Sequence, residues 1–152
     1  MSTNNPAMIA RDEIQTLIPH QGAMCLWDEV ADWDTSRIAL RTHGHRDPMH
    51  ALRSADRLHA VHLCEYGAQA MAVHGGLRAR ERGDRARPGV LVALRGISLQ
   101  VERIDDLPGA LECEATALAE DANSQQYAFR ITHAGQVIAE GRAAVMLQGD
   151  QA

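Results

Sequence analysis

The sequence predicts an α+β protein in which one long helix packs against an antiparallel sheet. Residues 58–77 are the longest stretch without proline or a cluster of turn residues, and they are apolar almost throughout. Two segments before this stretch and four after it alternate apolar and polar residues, as strands do. Because an antiparallel sheet buries one face, a single apolar helix can cover it. We therefore expect one long helix and five to six strands.

Turn and breaker residues delimit the predicted elements. Residues 1–10 are predicted to be a loose polar arm, and residues 11–18 a short helix that Pro19 ends, since the residue before proline disfavours helical geometry. Gly75-Gly76 provides a C-terminal stop for the long helix. The predicted strands are residues 24–33, 37–42, 89–101, 111–119, 126–133 and 137–147.

Composition narrows the class of protein. With 152 residues, of which 45% are hydrophobic, a single domain over residues 1–152 is expected. The net charge of -5 argues against nucleic acid as a partner. Cys25, Cys64 and Cys113 are far apart and form no CxxC pair, which indicates reduced thiols in a cytoplasmic protein. No signal peptide and no apolar run long enough for a bilayer are present, so we expect no membrane partner.

The long helix carries an acidic residue among apolar ones. At helical spacing, Leu58, Val61, Ala68 and Ala72 share one stripe, and Glu65 falls in its middle. We expect Glu65 to be buried, and a buried carboxylate must be paired, hydrogen-bonded or protonated. Gln69, one turn further on, is placed to bond it or a substrate.

Three stretches resemble one family of enzymes. They read LIPHQGAMCLWDEV at residues 17–30, CEYGAQAMAVHG at residues 64–75 and GQVIAEGRAAVML at residues 135–147. Together they resemble the hotdog-fold 3-hydroxyacyl-acyl carrier protein dehydratases. The segment His45-Arg46-Asp47-Pro48 before the helix is similar to a divergent branch, the dehydratases of aryl-polyene-type lipid clusters.

The resemblance carries expectations about fold and activity. It implies a hotdog fold, in which a curved antiparallel sheet wraps one long central helix. It also implies a homodimer, or a higher oligomer, whose active sites lie at the subunit interface and draw residues from both chains. Glu65 would then work with a histidine of the partner subunit. The expected activity is that of a lyase in fatty-acid or polyene-lipid biosynthesis, which converts 3-hydroxyacyl thioesters to trans-2-enoyl thioesters. The substrate would be bound to acyl carrier protein or coenzyme A, and no cofactor would be needed.

The chain departs from the family pattern around the catalytic histidine. Gly44-His45-Arg46 stands where the standard dehydratases have Gly-His-Phe, and His45 lies twenty positions before Glu65, farther than in those enzymes. Gln21 follows Pro19-His20 where arginine is usual. The sequence therefore leaves the identity of the histidine partner of Glu65 open.

The expected dehydration needs a base for the α-proton and an acid for the leaving hydroxyl. Glu65 is the preferred carboxylate, although a purely structural glutamate is the alternative. His45 is the preferred base and His20 the second candidate; a solvated loop position is the alternative for His45, and a packing role for His20. Gln69 and His50 are candidate substrate-binding residues, His50 because it lies fifteen positions before Glu65.

Two further patterns have competing interpretations. The pairs His43-x-His45 and His59-x-x-His62 have ligand-like spacing but no third ligand nearby, so no metal site is predicted. Five arginines in residues 78–87 could dock an acidic carrier protein or coenzyme A, but a solvated loop is the preferred interpretation.

Two other functions fit the same sequence. One is an acyl-CoA thioesterase on the same fold, in which Glu65 activates water for hydrolysis. The other is a non-catalytic subunit that binds a dehydratase or synthase, since function depends on the site and not on the fold.

Overall fold

In a computed structural model of the chain, the structure describes residues 8–149. The helices are α1 (Arg11–Gln15) and α2 (Leu63–Glu81), and the strands are β1 (Ile9–Ala10), β2 (Glu29–Trp33), β3 (Arg37–Thr42), β4 (Gly89–Leu99), β5 (Leu111–Glu120), β6 (Ser124–His133) and β7 (Gln136–Leu147). All seven strands join in one open antiparallel sheet of order β1-β2-β3-β5-β6-β7-β4. The predicted α+β class is confirmed.

Alternation along the strands gives the sheet a buried face and an open face. On β3, Ile38 and Leu40 are buried, whereas Arg37 points outward and lies 2.7 Å from Glu114 of β5. Burial of one such aliphatic side chain stabilises the fold by about 1.5–3 kcal/mol. Helix α2 packs on the buried face against β3, β5, β6 and β7. Within residues 8–149, no helix covers the opposite face, which we call the outer face.

The sheet has seven strands where five to six were predicted. Of the predicted loose arm, residues 1–7 lie outside the described residues, whereas Ile9 and Ala10 form β1 and pair with Val30 and Glu29. Strand β2 begins at Glu29 rather than at residue 24. The chain before Glu29 does not pair as a strand, because it bonds to the side chain of Gln69 on α2 instead.

Helix α2 both begins and ends later than predicted. A 3-10 turn at Ala60–His62 precedes it, and the His59 Nδ1 atom accepts a hydrogen bond from the Val61 N–H. The helix continues through the predicted glycine stop. Gly76 is required there for close packing, because a Cβ atom would lie 2.7 Å from the carbonyl oxygen of Leu17. Within residues 8–149, no helix is long and apolar enough to cross a membrane.

Most of the predicted apolar stripe does not lie on the face that the sheet covers, although its first residue, Leu58, is fully buried before the helix begins. Leu63 and Tyr66 are fully buried, whereas Val61 is 51% exposed and the Glu65 side chain 38% exposed. The expectation of a buried Glu65 is therefore wrong, because the sheet covers the other, equally apolar side of the helix. The residues left at the surface form the open stripe, which consists of Val61, Glu65, Ala68 and Ala72.

Strand β4 lies at the edge of the sheet and has one unpaired side. Its exposed apolar side chains are Val90, Leu91, Val92 and Leu94. A long apolar edge strand is a template for pairing with another chain. The open stripe and β4 are thus two apolar surfaces that remain uncovered within the described part of the chain.

Candidate active site

Three of the five predicted site residues come together at the start of α2. Glu65 lies in the first turn of the helix, and its Oε2 atom is 3.5 Å from the Nε2 atom of His20. The Nε2 atom of Gln69 lies 3.4 Å from the same oxygen. The His20 and Glu65 side chains are 31% and 38% exposed, so a substrate can reach both. The contact between them is long, as catalytic hydrogen bonds often are without substrate.

Gln69 connects the helix to the chain that follows His20. Its side chain is almost fully buried, and its Nε2 atom donates to the Met24 carbonyl at 2.7 Å. Its Oε1 atom accepts from the Leu26 N–H at 2.9 Å. Because both ends of the amide are bonded, the orientation of Gln69 is fixed, and its N–H group faces Glu65. The Gln69 amide is therefore held by the protein itself, with its N–H group beside the Glu65 carboxylate.

The turn that carries His20 is held by its neighbours. The Gln21 side chain donates to the carbonyls of Gln15 and Ile18, and Arg11 donates to the Gly22 carbonyl at 2.6 Å. The Nδ1 atom of His20 is buried and has no partner within residues 8–149. The ring therefore presents Nε2 to Glu65.

His45, the preferred base in the sequence, lies elsewhere. Its ring is fully buried, and its Nε2–H donates to the Leu107 carbonyl at 2.8 Å. Burial lowers the pKa of His45, which keeps the ring neutral. Within residues 8–149, it forms no hydrogen bond or ion pair with Glu65 of the same chain, whereas the expectation was a histidine of the partner subunit. The carboxylate of Asp28 fixes this segment by accepting from the His43 N–H at 2.7 Å.

His50 is engaged inside the protein. Its Nδ1 atom accepts from the Leu52 N–H at 3.1 Å, so the ring proton of the neutral form is on Nε2 and is donated to the Tyr66 hydroxyl at 2.9 Å. Burial lowers the pKa of His50 and raises that of Tyr66. Sequence reasoning missed Tyr66, because no spacing pattern links it to His50 sixteen positions earlier. With both nitrogens bonded, His50 has no free atom for a substrate.

Three arginines of residues 78–87 make internal contacts, and the first two of them lie in α2 rather than in a loop. Arg78 lies 2.7 Å from Glu120, and Arg80 lies 2.8 Å from Glu13. Arg87 donates to the backbone carbonyls of Gln148, just after β7, and of Ala122, between β5 and β6. These contacts favour a structural role over a docking role. Among residues 8–149, no group of three His, Cys, Asp or Glu side chains is placed to hold a metal ion.

The long helix and the antiparallel sheet that packs against it define a hotdog fold. The model of the ApeP-like family, described as ApeP dehydratase, matches residues 12–152, so the chain belongs to this family. The family resemblance drawn from the sequence is thereby confirmed. Among proteins with curated descriptions, none matches significantly.

Solved structures confirm the hotdog fold. The dehydratase heterocomplex ApeI:P from Xenorhabdus doucetiae matches with a TM-score of 0.80 and 21% identity, over 90% of this chain and 91% of that chain. AziG from S. sahachiroi matches with a TM-score of 0.57 and 18% identity, over 78% of this chain and 88% of that chain. A hypothetical thioesterase protein with coenzyme A from Streptococcus pneumoniae TIGR4 matches with a TM-score of 0.57 and 11% identity, over 81% of this chain and 87% of that chain.

Proposed function

We propose that this protein converts 3-hydroxyacyl thioesters to trans-2-enoyl thioesters, with His20 and Glu65 as its acid–base pair. The observation that carries the proposal is their contact at 3.5 Å on a part of the surface that a substrate can reach. Membership of the ApeP-like dehydratase family favours dehydration over other acyl-thioester chemistry. The setting would be fatty-acid or polyene-lipid biosynthesis.

The two side chains would divide the proton transfers between them. Neutral His20, with its ring proton on Nδ1, removes a proton from C2 through Nε2. The electron pair of the C2–H bond forms the C2=C3 double bond, and the C3–O bond breaks. Glu65, in its carboxylic acid form, gives its proton to the leaving hydroxyl, which departs as water. A proton then passes from His20 to Glu65 across their contact, and the pair returns to its starting state.

We propose that Gln69 prepares Glu65 for this role. Its N–H group bonds the same Oε2 atom that faces His20. The other carboxyl oxygen is thereby left for the leaving hydroxyl. Because Gln69 is itself fixed by Met24 and Leu26, the carboxyl group is held without rearrangement when substrate arrives.

A second subunit would complete the site. The open stripe around Glu65 and the exposed edge strand β4 are apolar surfaces that a second copy or a related subunit could bury. The matching Xenorhabdus structure is a heterocomplex, which supports pairing with a related subunit as well as with a second copy. For the same reason, a non-catalytic role as the partner of another dehydratase is the second candidate function.

Turnover of a short 3-hydroxyacyl-acyl carrier protein tests the proposal. Enoyl absorbance reports dehydration, and release of free thiol reports hydrolysis by a thioesterase. We expect enoyl formation without thiol release, and a loss of about 100-fold or more in Glu65→Gln. Glu13→Gln is the matched control, because Glu13 is an exposed glutamate that pairs with Arg80 away from the site.

The assay also separates the alternatives. Thiol release that depends on Glu65 would establish the thioesterase instead. A folded protein that turns over neither substrate, but that increases turnover by a co-expressed dehydratase subunit, would establish the non-catalytic partner. The same assay with coenzyme A thioesters identifies the carrier.

A further inference from the structure

The outer face of the sheet contains a groove on the side away from α2. Its volume is about 320 Å³. The lining residues come from β4, β5, β6 and β7, where the alternation of the strands turns Ala128 and Arg130 outward while Tyr127 and Phe129 are buried. The groove therefore lies on the opposite face of the sheet from the one that packs against the helix of Glu65.

Short side chains form the floor of this groove and long charged ones form its walls. Thr116 on β5 and Ala128 on β6 are cross-strand partners, and neither side chain reaches far above the sheet. At Gly96, with φ of 62°, the register of β4 against β7 shifts, and the edge of the groove bends. The charged lining residues are Arg95, Arg130, Arg142, Glu114 and Glu140.

Two of these arginines are direct neighbours of like charge. Arg95 on β4 is the cross-strand partner of Arg142 on β7, and like charges in opposing positions destabilise a sheet. Both side chains are exposed, and within residues 8–149 neither forms a hydrogen bond or an ion pair. An anion bound between the two guanidinium groups would offset this repulsion.

The carboxylates of the groove form ion pairs with other arginines and not with Arg95 or Arg142. Glu114 is bound by Arg37, whose Nη2 atom lies 2.7 Å away, and Glu140 lies 3.7 Å from Arg130. The groove therefore carries local positive charge in a protein whose net charge is -5. Because the protein as a whole is acidic, this positive charge belongs to the groove and not to the surface in general.

We propose that Arg95 and Arg142 bind a phosphomonoester group between them. Such a group carries a charge of about -1.5 to -2 at neutral pH, which matches two guanidinium groups better than a single carboxylate does. Its oxygens also accept paired hydrogen bonds from the planar guanidinium fork. The phosphoryl group could come from the 3′-phosphate of coenzyme A or from free phosphate. The site is independent of the proposed dehydration, so its failure would leave that proposal untouched.

Calorimetric titration with inorganic phosphate at low ionic strength tests the site in the assembled protein. We expect wild-type protein to bind phosphate and to gain thermal stability from it. Arg142→Gln and Arg95→Gln should each weaken binding by about tenfold or more, because each removes a charge-assisted contact. Arg41→Gln is the matched control, since it removes the same charge from the outer face at a position paired with Glu112.

Competition then identifies the source of the phosphate. Displacement of phosphate by coenzyme A but not by dephospho-coenzyme A would support the 3′-phosphate, and displacement by neither would support free phosphate. Failure of wild-type protein to bind phosphate would overturn the proposal. An equal loss in Arg41→Gln would overturn it too, because binding would then reflect surface charge alone. Melting curves without phosphate show whether each variant is folded.

Discussion

Replacement of Gln69 by alanine is expected to destabilise the fold as well as to disturb the site. The Gln69 amide joins α2 to the segment that leads from His20 to β2, through bonds to Leu26 and Met24. In Gln69→Ala both bonds are lost, and so is the N–H group that holds Glu65. The effect should therefore appear both in the free energy of unfolding and in turnover.

The burial of the two bonded groups sets the magnitude. The Leu26 N–H is buried, and a buried donor without an acceptor costs about 1–3 kcal/mol. The Met24 carbonyl is only partly buried, so water can replace the amide, and the net loss there is about 0.5–1.5 kcal/mol. We expect a total loss of about 2–4 kcal/mol, which is a large part of a typical stability of about 5–15 kcal/mol.

Urea unfolding of wild type, Gln69→Ala and Gln15→Ala measures this difference. Gln15 is the control because its amide also bonds a backbone group, the Gly22 N–H at 2.9 Å, but at an exposed position. We expect Gln15→Ala to lose no more than about 1 kcal/mol. A Gln69→Ala protein within about 0.5 kcal/mol of wild type would refute the reasoning. So would equal losses in the two variants, because burial would then not decide the cost.

Three other changes have expected outcomes. Gly76→Ala should reduce the free energy of unfolding by about 1–3 kcal/mol and lower the thermal midpoint, because its Cβ would meet the Leu17 backbone. Gly75→Ala should be neutral or stabilising, since nothing lies within 4 Å of its Cβ position. Equal thermal midpoints for the two variants would contradict this reasoning. Burial lowers the pKa of His74 below 6.5, so the unfolded chain binds a proton that the folded protein does not. Stability should therefore fall as the pH drops below about 6.5, and His74→Gln should reduce that slope in urea titrations; an unchanged slope would argue against it. Leu94→Asp on β4 should shift sedimentation toward a monomer, and an unchanged oligomer would mean that assembly uses another surface.

The sheet was largely predictable because its signals are local. Alternation identified β3 with its observed bounds, and the β6–β7 hairpin to within two residues at each end. The turn before β3 was also predictable, since the Asp34 carboxylate accepts from the Ser36 and Arg37 N–H groups, as turn chemistry leads one to expect. These features depend on neighbours in the sequence.

The site was less predictable because its contacts join distant parts of the chain. Glu65, His20 and Gln69 were all candidates, but no pattern indicates that His20, forty-five positions before Glu65, is the histidine that reaches it. His45 was preferred for its place before the helix, yet its Nε2–H is bonded to the Leu107 carbonyl on a later loop. Only the packing of the whole chain shows which histidine of the same subunit lies beside Glu65.

The orientation of α2 explains the remaining error. Both sides of the helix are apolar, so periodicity alone could not tell the side that faces the sheet from the side that carries Glu65. Gly67 resolves this in the structure, because a Cβ there would lie within 3 Å of the Phe129 ring on β6. The glycine marks the packed face, and Glu65 is left on the open stripe.

The most direct test of the acid–base pair is a double-mutant cycle with Glu65→Gln and His20→Gln in the dehydration of a short 3-hydroxyacyl-acyl carrier protein. If the two groups act as one unit, each single variant loses about 100-fold or more, and the double variant is hardly slower than either. His45→Gln, assayed beside them, should keep more activity than His20→Gln. Full activity in His20→Gln, with loss of activity in His45→Gln, would contradict the assignment.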